Sequence, residues 1–296
     1  MSNKPEHQPK YPIYIISKGR ADTRFTSKAL ELLKVPYYIA VEEHEYDAYC
    51  AVIDPAKVLK LPFSNHGKGS GVARNWVWEH SIANGFDRHW VLDDNIKEFW
   101  RFHHNQRIRV QSGSFFRACE DFCDRYENIG LAGLQYKFFC MDNYPHPPIT
   151  QNTRLMSCIL IDNKMEHRWR GKYNEDVDLS LRVLKSGLCT ILFYAFLQGK
   201  MRTGTVKGGN TDELYGIGTF EKSKMLVEMH PDCVKLARRY GRWHHVVDMK
   251  PFRGNKLIKK EGLNIKNQVN NYGLVLADNF GTPEQCIMEK PRERFQ

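Results

Sequence analysis

No run of apolar residues in this chain is long enough to span a bilayer, and Met1-Ser2-Asn3-Lys4-Pro5 has no apolar stretch of the secretory type. A cytoplasmic protein with no membrane partner is therefore expected. Metal-finger and redox spacings are missing too. The 8 cysteines (Cys50, Cys119, Cys123, Cys140, Cys158, Cys189, Cys233, Cys286) are scattered among mostly apolar neighbours, with no Cys-x-x-Cys pair or Cys/His ligand spacing. Buried free thiols in a reducing compartment follow. The G-x-G-x-x-G turn and the P-loop lysine are absent, which removes the two best-known nucleotide fingerprints. Acid is also scarce, with 34 Asp and Glu against 44 Lys and Arg.

The resulting net charge of +10 favours a polyanionic partner, nucleic acid first, over a surface that is merely solubilising. Cations crowd at 101–109, 168–172, 235–242 and 250–260. With 42% hydrophobic residues in 296, the chain can bury a sizeable core as one large domain or two small ones.

The chain opens with a polar tail at 1–10. Tyr11 to Ile16 is a strand of β-branched and aromatic residues ending in the basic turn Ser17-Lys18-Gly19-Arg20-Ala21-Asp22. A helix follows with Asp22 or Thr23 as N-cap, Pro36 stops it, and Tyr37 to Val41 is a second strand. Strand, basic turn, helix, strand predicts a βαβ unit whose first turn suits a phosphate. Glu42 closes the second strand, where an acid can hydrogen-bond a ribose or a base edge. After a short strand at Val58 to Leu61, the glycine-dense Asn65 to Gly71 leads into a helix from Val72 to Asn84, with Arg74 and Asn75 in its first turn.

Trp90-Val91-Leu92-Asp93-Asp94-Asn95 is the pivotal stretch. An apolar strand running into two carboxylates and a carboxamide puts hard oxygen ligands at the mouth of a sheet, where a divalent cation can meet a phosphate. A strand with an ordinary acidic turn is the competing account. Ile96 to Val110 interleaves aromatics and cations, as a base-stacking surface or a packed hairpin would. A helix is expected at Phe115 to Tyr126, buried strands at Ile129 to Leu134 and Met156 to Ile161, and a surface lip at Met141 to Thr150. Asn174 caps a helix that opens with Glu175, Asp176 and Asp178, and Cys189 to Ala195 is the last core strand. A glycine-rich segment at 199–218 follows, then a helix from Glu221 to Tyr240 and a basic, irregular remainder.

In this order the pieces resemble GT-A glycosyltransferases, with a nucleotide-sugar half, an Asp-x-Asp metal motif and a later acidic motif. More narrowly, Tyr14 to Arg20, Gly71 to Asn75 and Glu175 to Leu179 look like the phage-type transferases associated with modified DNA bases, which place a sugar on 5-hydroxymethylcytosine. The resemblance implies an α/β GT-A (Rossmann-like) fold with a mixed, mainly parallel central sheet flanked by helices. The expected division is a nucleotide-sugar half at 11–110, an acceptor half at 111–220 and a basic C-terminal extension at 221–296.

It also implies a UDP-sugar donor, glucose or arabinose, and Mn²⁺ or Mg²⁺. Asp94 and Asn95 are expected at the metal and Asp93 nearer the sugar or ribose, although Asn95 stands where an acid is common. Ser17, Lys18, Arg20, Glu42, Arg74, Asn75, Lys207 and Asn210 are expected at the donor. Asp176 is the candidate general base with Glu175 second, Asp178 an orienting residue, and His230, His244 or His245 a further metal ligand. A glycan or protein acceptor, a non-catalytic nucleic-acid-binding module and a metal-dependent nuclease are the competing functions.

Overall fold

The computed structural model describes residues 7–64, 67, 69–201, 220–239 and 241–262. Its frame is a ten-stranded mixed sheet. The first half follows the expected βαβ course. β1 (Ile13–Ile16), β2 (Tyr38–Val41) and β3 (Val58–Lys60) run parallel, with α1 (Phe25–Leu32) and the short α2 (Tyr46–Cys50) in the crossovers. α3 (Gly71–Ala83) then returns the chain to β4 (Arg88–Asp93), which pairs parallel with β1 on its other edge. The register sets Ile16 beside Asp93, so the first basic turn and the acidic turn leave the sheet at the same edge.

β5 (Ile96–His103) and β6 (Gln106–Arg109) form the hairpin that the sequence allowed for 96–110. His104 and Asn105 both take positive φ in its two-residue turn, the twist that tight hairpins require. α4 (Ser114–Cys123) precedes β7 (Ile129–Tyr136), β8 (Ile149–Gln151) and β9 (Cys158–Asp162). Next come α5 (Glu175–Lys185) and β10 (Cys189–Lys200). The sheet order is β3-β2-β1-β4-β9-β7-β10-β5-β6, with β8 on β10. β5, β8 and β9 oppose the direction shared by the other seven, so the sheet is mixed and mostly parallel.

Helices cover both faces, which is why its strands read as near-continuous apolar runs. Trp90, Leu92 and Phe99 meet Leu30 of α1 and Phe115, Phe116 and Cys119 of α4 on one face. Tyr14, Val91 and Ile159 meet Val77 and Trp78 of α3 and Leu179 and Val183 of α5 on the other. β7 passes close to β9 at Gly133, where an added Cβ would stand 2.7 Å from the Cys158 carbonyl oxygen. The seven described cysteines are free, six of them buried.

Four local expectations need correction. Neither Asp22 nor Thr23 caps α1: Arg24 holds the cap position at φ 25°, and the Ser27 hydroxyl donates back to its carbonyl. Asn174 precedes α5 in the left-handed conformation and its amide donates to the Lys222 carbonyl, so it fastens a distant segment instead of capping. β10 runs five residues past Ala195. The expected helix from Glu221 to Tyr240 stops early as α6 (Phe220–Met229), because Pro231 cannot continue it. A hairpin of β11 (Val234–Arg239) and β12 (Arg242–Val247) follows, turned at Gly241 with φ 73°.

Residues 220–260 are laced to the domain. Val177, Leu181 and Leu184 of α5 share a third core with Leu226, Val234 and Phe252. Asn255 donates to the Leu184 and Leu188 carbonyls, and Tyr126 bridges to Lys259. No helix among the described residues is long and apolar enough to cross a membrane.

Candidate active site

Two polar clusters lie where β1 and β4 leave the sheet. The first is closed. Asp94 is 5% exposed and spends one oxygen on the Arg20 guanidinium and the other on the Ser17 hydroxyl, 2.8 Å away. Ser17 also meets the Tyr49 hydroxyl at 2.6 Å, which accepts from the Arg20 amide. Burial shifts the Asp94 carboxyl upward, against the pull of Arg20. Lys18 pairs with Glu42 at 3.0 Å. The basic first turn is thus tied by Asp94 to the acidic turn after β4 and by Glu42 to the end of β2.

The second cluster is open. Arg74, 4% exposed, stands in the first turn of α3 among three carboxylates. It donates to Asp93 at 2.7 Å, makes a very short contact with Asp176, and approaches Glu175 to 3.9 Å. Its guanidinium lies over the Trp169 ring, 4.5 Å from the centroid. The other Asp93 oxygen takes Lys200 Nζ at 2.6 Å, and that ammonium also donates to the Ser157 hydroxyl at 2.7 Å. Ser157 sits at φ 67°, a strained conformation for a residue with a side chain. There its amide donates to Asp176 at 3.1 Å while its hydroxyl meets that of Tyr136 at 2.7 Å. Ser70 donates to Glu175 at 2.6 Å.

Electrostatics divides the acids. Burial would raise Asp93, but the charges of Lys200 and Arg74 bring it down to about 2. Burial dominates at Asp176, and with Glu175 and Asp93 nearby it outweighs Arg74, lifting the carboxyl to about 6. One acid of the pair stays ionised while the other titrates near neutrality, the arrangement that separates an anchoring carboxylate from a proton acceptor.

Asp93, Arg74, Glu175 and Asp176 are thus brought together, as the sequence led one to expect. Asp94 faces the basic turn instead, with both oxygens engaged. Asn75 exchanges two bonds with the Trp169 main chain, at 2.8 Å each, so it acts on the site through Trp169. Asp178 is fully buried and bound by Arg170, Arg182 and His230. His230 is consumed by that contact and by Lys185, and His244 and His245 lie on the C-terminal hairpin. Lys207 and Asn210 fall outside the described residues, as does most of the glycine-rich segment.

The donors fit a hard divalent cation in part. The Asn95 carboxamide oxygen is buried with no hydrogen-bond partner, and Asp93 could add a carboxylate oxygen only by giving up Arg74 or Lys200. His230, Asp232 and Cys233 also stand close enough together to hold a metal, but Lys185 already occupies His230 and Asp232.

Lys200, Ser157 and Tyr136 escaped the sequence reasoning. No motif flags a lysine at the far end of an apolar strand, and its pairing with Asp93 spans 107 residues.

The sequence pattern of the TET-associated glycosyltransferase family (TAGT) matches residues 11–209, about two thirds of the chain, and spans both clusters. No curated protein matches. Among solved structures, a Desulfovibrio desulfuricans G20 protein assigned as a nucleotide-diphospho-sugar transferase is similar, at 11% identity and a TM-score of 0.37, over 63% of this chain and 80% of that one.

Proposed function

As the chain belongs to the TET-associated glycosyltransferase family and is a glycosyltransferase, we propose that it transfers a sugar from a UDP-sugar, with a divalent cation, to 5-hydroxymethylcytosine in DNA. The observation that carries this reading is the open cluster, where an ionised Asp93 and a titratable Asp176 flank one buried guanidinium.

Asp93 and the Asn95 carboxamide oxygen would hold the cation, and Asp94 keeps Arg20 and the basic turn in place behind them. When bound, the cation supplies positive charge to the departing diphosphate. Lys200 and Arg74 add fixed charge at the same place, in a site that needs no rearrangement to provide it. Asp176 takes the proton of the acceptor hydroxymethyl group as that oxygen attacks the anomeric carbon. Its elevated pKa matches that task near neutral pH. Ser157 and Arg74 orient it, and Glu175, steadied by Ser70, raises its basicity. The net charge of +10 supports a nucleic-acid acceptor.

The test is mass spectrometry of hydroxymethylated DNA incubated with the protein, Mn²⁺ and separate UDP-sugars. A hexose or pentose increment with one donor, lost in Asp176→Asn and with chelator, is expected. Unchanged mass with every donor would overturn the acceptor assignment.

A further inference from the structure

Beside the open cluster, and sharing Tyr136 with it, lies a cavity of about 380 Å³. Its walls include Tyr136, Phe139, Thr153, Met156 and Tyr194, with Arg154 among them. The volume and the mixture of aromatic and polar lining are those of a small-molecule site. Its distinguishing feature is Arg154. This half-buried guanidinium makes no hydrogen bond or ion pair with any described residue, whereas the arginines around Asp93, Asp94 and Asp178 are all engaged. A partly buried fork of donors without a protein acceptor is open to a ligand that supplies one.

The aromatic character continues outward. Tyr136 stacks on Phe138 with centroids 5.3 Å apart and planes inclined by 17°, and Phe138 and Phe139 are 63% and 51% exposed. Exposed rings leading into a pocket beside cations give a sequence-tolerant surface for stacking bases. The Tyr136 hydroxyl lies one hydroxyl away from Lys200 and from the main chain that holds Asp176. Tyr136 and Ser157 thus link a ring in this cavity to the proposed base.

We infer that this cavity receives the acceptor base itself, a cytosine-type ring turned out of its stack, with the Arg154 fork donating to the adjacent O2 and N3 acceptors. The inference rests on the acceptor proposed above and adds the residues that select it. Aromatic walls alone would take any pyrimidine. The guanidinium discriminates, because a uracil-type ring presents an N3–H donor where cytosine presents an acceptor, and two donors facing each other are both left unpaired.

Binding of 5-hydroxymethyl-dCMP and of 5-hydroxymethyl-dUMP to the full chain, measured by calorimetry without donor, tests this separately from transfer. The cytosine nucleotide should bind at least about tenfold more tightly, in line with the discrimination of a good bidentate contact. In Arg154→Met the preference should collapse to within about twofold. Arg154→Lys, which keeps the charge and loses the fork, should collapse it as well and covers the case of a poorly folded Met variant. Absence of binding to the wild-type chain, or a preference unchanged in both variants, would overturn the inference. A preference dependent on Arg154 without sugar transfer to DNA would uphold the pocket and remove the transfer reading. Transfer with a preference independent of Arg154 would do the reverse.

Discussion

Replacing Arg74 by glutamine should reveal how much of the site's stability comes from one cation. Arg74 neutralises Asp93 and Asp176 directly and Glu175 at longer range, with 4% of its surface exposed. Its loss leaves these partly buried carboxylates with only Lys200 to balance them. Breaking a buried pair in this way costs about 3–5 kcal/mol. For a domain of this size that corresponds to a fall of roughly 6–20 °C in Tm. The penalty should depend on pH. Asp176 already has a folded-state pKa above its unfolded value of 3.8. Without Arg74 it and Asp93 rise further, and a carboxyl raised on folding regains stability as pH falls through its folded pKa. The deficit relative to wild type should be full at pH 8 and distinctly smaller at pH 5, as followed by calorimetry or circular dichroism. An equal deficit at both values would refute the account of Arg74 as neutraliser and leave only lost packing on Trp169.

Asp178→Asn makes a contrasting case. Burial would raise Asp178, but hydrogen bonds from His230 and Arg170 and the charge of Arg182 hold it near 2, so its contribution is present above the unfolded value and is lost as pH falls toward 2. The substitution should cost about 3 kcal/mol in denaturant titrations, equally at pH 8 and pH 5. For transfer itself, kcat/KM should fall below about pH 6 with a slope of one as Asp176 takes up its proton. A profile level down to pH 5 would exclude Asp176 as the base. Lys200→Met should slow turnover at least about a hundredfold with donor KM little changed, because its charge acts on the departing diphosphate. Affinity for hydroxymethylated duplex should decline linearly in log K against log salt, and a flat response would count against phosphate contacts.

Much of the frame was legible because it is local. The first strand, basic turn and helix obey period and turn chemistry, and Arg74, Asp93, Glu175 and Asp176 sit at element ends, where open α/β folds gather function. The rest depends on contacts that cross the chain. β10 runs past Ala195 through Phe196 and Leu197 to Gln198, whose side-chain NH2 donates to the Leu134 and Met156 carbonyls, and this carries Lys200 to Asp93. Adjacent carboxylates in Asp93-Asp94 look equivalent in sequence, but β4 ends at Asp93 and the turn that starts at Asp94 sends the second acid to the other cluster. The helix expected to reach Tyr240 gives way to a hairpin after Pro231, where Val234 and Leu236 fall two apart as in a strand.

The lacing of residues 220–260 onto α5 bears on where this protein can be cut. The family pattern ends at residue 209, which invites expression of that segment alone. Such a fragment would lose Leu226, Val234 and Phe252 and lay bare Val177, Leu181 and Leu184, each worth about 1.5–3 kcal/mol of burial. It would also strip His230 from Asp178 and Lys222 from Asn174, the residue just ahead of Glu175 and Asp176. The helix that presents the proposed base is held from behind by chain lying beyond the matched region. The unit of homology is therefore shorter than the unit of folding, and a fragment trimmed to the first would be a poor witness to the chemistry of the second.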